Sequence, residues 1–180
     1  MIRNFNFKLL TIVVGVVVLI LGPSIFGGDV PVVSASYDPG LFVTTWQTNV
    51  DGATEPTTVT LNFQLSGATG YYYVDWRCNG DFRVVDKNKV VYDYEEEGTF
   101  DICIKSPVTS LAFSAPGLAT DERAKLQEIK QWGNIKWSSF AKAFQSMPNM
   151  QLTADDVPDL SQVKDMSFAF EKQILMAMSL

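Results

Sequence analysis

The sequence predicts a mainly β chain with a mixed α/β C-terminal part: a small antiparallel β-sandwich followed by the start of a stacked repeat. Three observations carry this. Residues 41–113 are rich in β-branched and aromatic side chains, with turn clusters at short intervals. The stretch from Thr57 alternates strictly, with Val59, Leu61, Phe63 and Leu65 on one face and Thr58, Thr60, Asn62 and Gln64 on the other, the period of a half-buried strand. After residue 116, two segments, 137–144 and 163–170, share one apolar spacing.

The strands follow in order. Leu41–Trp46 is the first, closed by the polar stretch 47–56, and Thr57–Leu65 is the second. Ser66–Gly70 turns the chain into Tyr71–Trp76, which Asn79-Gly80-Asp81 ends. Phe82–Val85 and Lys89–Tyr94 are two short runs, and Gly98 opens a last strand with Phe100, Ile102 and Ile104 on one face. Short strands at this spacing predict two packed antiparallel sheets.

Ahead of them the chain reads as an export signal. Arg3 and Lys8 precede thirteen uncharged residues, Leu9–Leu21, and Val33-Ser34-Ala35 supplies small residues for cleavage. That order of basic, apolar and small-residue regions marks an export signal. The alternative is an uncleaved anchor, since Leu9–Phe26 is eighteen residues long, just enough for a bilayer span. Removing residues 1–35 takes away Arg3, Lys8 and Asp29 and leaves 12 Lys+Arg against 19 Asp+Glu, a net charge of −7. An acidic chain is a poor ligand for nucleic acid, which needs clustered cations. Contact with a membrane is expected only through the N-terminal segment.

The composition also narrows the chemistry. The chain of 180 residues contains no histidine, which removes the commonest general base and metal ligand. The carboxylates Glu95-Glu96-Glu97 and Asp155-Asp156 with Asp159 are adjacent in loops, whereas glycosidase chemistry needs two carboxylates across a cleft. No phosphate loop, nucleophile elbow or zinc spacing occurs. No catalytic residue, cofactor or enzyme activity is therefore predicted. Asp75, Asn79 and Asp81 around a glycine turn are weak calcium candidates, without the twelve-residue loop of a dedicated site. Trp46, Trp76, Trp132 and Trp137 read as core residues, Trp76 and Trp132 most clearly from their apolar patterns, with a carbohydrate platform as the alternative.

Cys78 and Cys103 are the only cysteines, an even count in an oxidising compartment. A bridge closing their loop of about 25 residues would contribute about 3 kcal/mol. Strand parity points the other way. Cys103 lies opposite the Phe100 face, whereas Cys78 shares parity with Val74 and Trp76, so without a bulge the thiols point apart. Bridge and separate thiols both stay open, the bridge being favoured outside the cell.

Two resemblances follow from particular motifs. Tyr73-Val-Asp-Trp-Arg-Cys-Asn-Gly-Asp81, Tyr92-Asp-Tyr94 and Glu97-Gly-Thr-Phe-Asp-Ile-Cys-Ile104 together resemble the polycystic-kidney-disease (PKD) type of Ig-like domain. Arg77 and Cys78 stand where that family prefers Gly and Asp. The resemblance implies a sandwich over residues 36–115, of a kind that serves as a spacer in bacterial surface proteins.

In the C-terminal part, Thr120–Lys125 reads as a short helix capped by Thr120 or Asp121, and Leu126–Trp132 either continues it or opens a strand. With position 137 laid over position 163, Trp137, Phe140, Ala143 and Phe144 fall on Val163, Met166, Ala169 and Phe170. That period suits a repeat whose units bury their faces on each other. Asp159, Ser161, Val163, Met166 and Phe170, with Phe42-Val-Thr-Thr-Trp46 early in the chain, resemble the BspA-type leucine-rich-repeat surface proteins. The resemblance implies a cap and the first leucine-rich repeats of a solenoid over 116–170, a cell-surface or secreted location and adhesion to a protein or glycan. Residues 171–180 depart from the family pattern, which predicts either a truncated reading of a longer repeat protein or a capping helix. The resulting expectation is a non-catalytic exported binding module. The alternative is a structural envelope protein without a dedicated ligand.

Overall fold

The computed structural model describes residues 36–64, 70–105, 107–111, 113 and 118–171. The expected export segment, Leu65 and the turn residues 66–69, the Pro116-Gly117 junction and the tail after Glu171 lie outside them. By its contacts the chain divides into Met1–Tyr37 and Asp38–Leu180, and the second unit is the one described below. The protein is mainly β sheet.

Among the described residues, ten elements follow in chain order: β1 Phe42–Gln47, β2 Thr58–Gln64, β3 Tyr72–Asp75, β4 Arg83–Val85, β5 Lys89–Asp93, β6 Thr99–Lys105, β7 Ser110–Leu111, α1 Thr120–Ala124, β8 Leu126–Gln131 and β9 Gln151–Leu152. A six-stranded sheet runs β4-β3-β6-β1-β8-β9 and a three-stranded sheet β5-β2-β7. Among the described residues, the named strands pair antiparallel except β8 with β9, and isolated parallel bridges join Ser110 to Ser139 and Lys136 to Asp159. Val59, Leu61 and Phe63 of β2 are fully buried, as the alternation predicts, but Thr58 and Thr60 on the opposite face are buried as well, so the strand is not half-exposed. Phe63 meets Tyr72 of β3 and Phe113 edge-on at 5.1 and 5.3 Å, so side chains of the two sheets fill one core. Each such buried side chain contributes about 1.5–3 kcal/mol.

The undecided stretch Leu126–Trp132 supplies a strand. β1 takes β6 on one side, pairing Thr44 with Ile102, and β8 on the other, pairing Thr44 with Ile129. Two register shifts let β8 follow β1, and Leu126 and Ile129 are buried. The sheet thus crosses the expected boundary at residues 115/116. The helix differs from expectation at its start. Its N-cap is Ala119, with no side-chain cap. Asp121 instead accepts hydrogen bonds from both the amide and the hydroxyl of Thr54, each at 2.9 Å, a tertiary contact that displaces the local one.

Helix α1 also covers the open edge of β2. Glu122 Oε2 accepts the Thr60 amide at 3.1 Å. Lys125, fully buried, donates to the carbonyls of Glu55 and Thr58 at 2.7 and 2.9 Å and to Glu122 Oε1. These side chains stand where a neighbouring strand would place its backbone groups, which keeps the edge from pairing elsewhere.

Beyond β8 the chain builds two stacked layers, residues 137–147 and 163–171, whose local geometry recurs from the first to the second. Ala143 donates to the Phe140 carbonyl, and Ala169 to that of Met166. Lys142 and Phe168 both adopt φ of 56°. The Ala141 amide bonds the Ser139 hydroxyl, and the Ser167 amide bonds the Asp165 carboxylate. The rings of Phe144 and Phe170 stack at 5.4 Å. The preceding face of the first layer rests on Thr109 and Phe113: Ser138 donates to the Thr109 carbonyl, and Phe113 touches Phe144.

Candidate functional site

A cleft of about 330 Å³ lies at the turn after β3 and is lined by Asp75, Trp76, Arg77, Asn79, Asp81, Arg83 and Tyr92. Asp75 is buried and accepts the amides of Arg77 and Gly80 at 3.1 and 2.6 Å. Gly80 needs its φ of 97° to complete this turn. Asn79 Oδ1 accepts the Asp81 amide at 3.1 Å, and Asp81 pairs with Arg83 at 2.6 Å. The structure thus brings the three calcium candidates to one cleft, with an oxygen of each directed to a backbone amide or a guanidinium. Among the described residues, no group of three or more Asp, Glu, Cys or His is placed to hold a metal ion.

Cys78 lies in the same turn and is joined to Cys103 by a disulfide, with Cα atoms 5.1 Å apart. The parity argument does not reach it, because β3 ends at Asp75 and Cys78 adopts φ of 47° in the turn beyond. Its side chain is therefore redirected toward Cys103, which faces Asp75 across the β3–β6 ladder. Beside the bridge, Arg77 pairs with Glu96 at 3.0 Å and lies over the rings of Tyr94 and Phe100. Tyr94 donates to the Trp76 carbonyl at 2.6 Å. Burial pushes its phenol pKa upward, so it remains a protonated donor across the physiological range.

The acidic runs are dispersed among structural duties. Asp156 accepts the Trp132 amide at 2.9 Å and the Gly133 amide at 2.8 Å. Asp159 accepts the Ser161 amide and, through its carbonyl, the Trp137 amide. Hydrogen bonds from Ser161 hold the Asp159 carboxyl below the usual range, and those from Ser167 do the same for Asp165. Glu97 accepts from Asn49 at 2.7 Å. All four tryptophans are buried, so none offers an indole face as a sugar platform.

One polar cluster is not legible in the sequence. Across β1, β6 and β8, Thr45 donates to Asp101 at 2.7 Å, with Glu128 at 3.4 Å on its other side. Lys130 lies 3.0 Å from Asp101 and 3.9 Å from Glu128. The four groups come from three strands, Thr45 and Glu128 being 83 residues apart, and no spacing pattern signals them. Lys130 offsets much of the paired negative charge, and the cluster ties neighbouring strands together.

The repeat-motif residues divide by exposure. Val163 is half-buried against the core, while Met166 and Phe170 remain exposed. Their counterparts one layer back, Phe140 and Phe144, are buried. Leu152, Val157, Leu160 and Phe168 add to this exposed apolar set. Set against protein-family models, curated proteins and solved structures, the chain matches none.

Proposed function

We propose that the protein is a non-catalytic, exported bacterial surface protein, in which a PKD/Ig-like sandwich leads into the first repeats of a BspA-type leucine-rich-repeat stack. The stack presents a surface to a protein or glycan. The observation that carries this reading is the recurrence of turn, hydrogen bond and ring stacking between layers 137–147 and 163–171. Stacking units that bury their faces only on neighbours build extended binding surfaces. The basic, apolar and small-residue order of residues 1–35 and the disulfide support export to an oxidising compartment.

A structural reading, a spacer in the envelope without its own ligand, draws support from the cleft at Asp75, whose polar groups bond to one another and to the backbone.

The test is expression of the full chain in a bacterial host, followed by fractionation and intact-mass measurement with and without reduction. A species beginning at Ser36, recovered outside the cytoplasm and alkylated only after reduction, is the expected result. Retention of the whole chain in the cytoplasm with two free thiols would overturn the reading.

A further inference from the structure

Asn79-Gly80 is the chain's single Asn-Gly pair; every other asparagine precedes a residue with a larger side chain. Such a pair is open to attack of the glycine nitrogen on the asparagine side chain, because no Cβ shields that nitrogen and the glycine backbone turns freely. The pair stands exposed in the turn after β3, and a Cβ placed at Gly80 would meet nothing within 4 Å among the described residues. The reaction needs only water. The Gly80 amide gives its proton to solvent, its nitrogen bonds to Cγ of Asn79, and the Cγ–Nδ2 bond breaks as ammonia leaves with a proton from solvent. Water then opens the resulting succinimide at either carbonyl, leaving aspartate or isoaspartate at position 79.

Contacts of the turn stand against the first step. The Gly80 amide donates to Oδ2 of Asp75 at 2.6 Å, and Asp75 is buried. The proton that must leave therefore points at a carboxylate and away from water, and that carboxylate opposes negative charge developing on the nitrogen. The Asp81 amide holds Oδ1 of Asn79 at 3.1 Å and fixes the side-chain amide in place. Cys78, one residue back, is tied to Cys103 of β6, so the turn does not lift off the sheet. Cys103 is buried and Cys78 half-buried, which leaves the bridge approachable from the side of the turn.

We propose that Asn79-Gly80 is a latent self-modification site, closed while Asp75 and the disulfide hold the turn and opened when the bridge is reduced. A thiol reductant converts the bridge to two thiols and is itself oxidised to a disulfide. The freed turn then exposes the Gly80 amide to solvent. Conversion adds a carboxylate beside Asp75 and Asp81 and, as isoaspartate, one methylene to the main chain, which takes Gly80 out of register with Asp75. Re-oxidation restores the bridge but not the lost ammonia, so a chain that has once met reductant stays marked. This holds for a ligand-binding protein and for a spacer alike.

The test incubates the full chain in mildly alkaline buffer and follows the amide-to-acid exchange at position 79 by peptide mass mapping. The oxidised protein should react about tenfold or more slowly than the same chain unfolded in urea, because the reaction waits on local opening. Reduction of the native protein should raise its rate about tenfold, and Asp75→Asn, which keeps a neutral acceptor in place of the charged one, should do the same with the bridge intact. Reaction of the oxidised protein as fast as the unfolded chain would overturn the proposal, because the turn would then leave the site open. A reduced protein no faster than the oxidised one would overturn it as well. An unchanged rate in a folded Asp75→Asn protein would remove Asp75 as the guard. Independently of that variant, hydrogen exchange at the Gly80 amide of the unaltered oxidised protein should be slowed about tenfold or more, and exchange at the unprotected rate would likewise overturn the assignment.

Discussion

Glu122 accepts the amide hydrogen of Thr60 at 3.1 Å, across 62 residues of sequence. With Lys125 bound to the Thr58 carbonyl at 2.9 Å, one helical turn supplies an acceptor and a donor to the edge of β2. The ion pair between the two side chains is almost wholly withdrawn from water. A buried pair of this kind contributes less than the penalty for breaking it.

Lys125→Met should therefore destabilise the protein by about 3–5 kcal/mol, because Glu122 is left as an uncompensated buried charge. Urea unfolding followed by tryptophan fluorescence measures this. The double change with Glu122→Gln should recover part of the loss. A double variant no more stable than the single would show that the lost ammonium hydrogen bonds to the Glu55 and Thr58 carbonyls, and not the charge left on Glu122, account for the loss.

Removing the covalent link should lower stability by about 3 kcal/mol, the loop-closure value for a ring of this size. The comparison is of denaturant midpoints for the full chain and for the Cys78→Ser, Cys103→Ser double variant. Equal midpoints would show that the hydrogen bonds of Asp75, Asn79 and Tyr94 hold the turn around Gly80 without the bridge.

Gly133 adopts φ of 66°, and an added Cβ would lie 2.3 Å from the Leu41 carbonyl oxygen. Gly52 shares a positive φ of 80° but has nothing within 4 Å. Gly133→Ala should then cost clearly more than Gly52→Ala, for which about 1–2 kcal/mol of backbone strain is expected. Thermal unfolding of the two variants under one condition checks the order.

Acid should weaken the contact between α1 and residue 54. The Thr54 amide holds the Asp121 carboxyl below its usual value of 3.8. A lowered folded-state pKa gives stability that is present above the unfolded value and lost as pH falls through the folded one. The loss thus begins near pH 4 and continues below it. Asp121→Asn removes the titrating group and should flatten the acid limb of an unfolding titration, while the two proteins behave alike in pH sensitivity above pH 5.

Where the sequence was informative, the signal was local. β2 was legible because Val59, Leu61 and Phe63 alternate with polar residues, and the layers because Phe140/Phe144 and Met166/Phe170 keep one spacing. Leu126–Gln131 was ambiguous because its strand state comes from β1, which lies far earlier in the chain. Asp121 looked like a helix cap, and Thr54 outcompeted the helix for it. Cys78 seemed to point away from Cys103 only while it was counted as part of the preceding strand. The cleft residues Asp75, Asn79 and Asp81 were identified together from their shared turn. The Thr45, Asp101, Glu128 and Lys130 cluster depends on strand register, which composition and spacing do not encode.

The place of β1 between β6 and β8 has a consequence for synthesis and truncation. A polypeptide ending at residue 115 would bare one side of β1 and the α1-covered edge of β2 together, two strand edges ready to pair with other chains. During translation the same two edges stay open until residues 120–131 have emerged. The strand β1 is thus completed only by β8, so its second edge stays open until that distant segment has folded onto it.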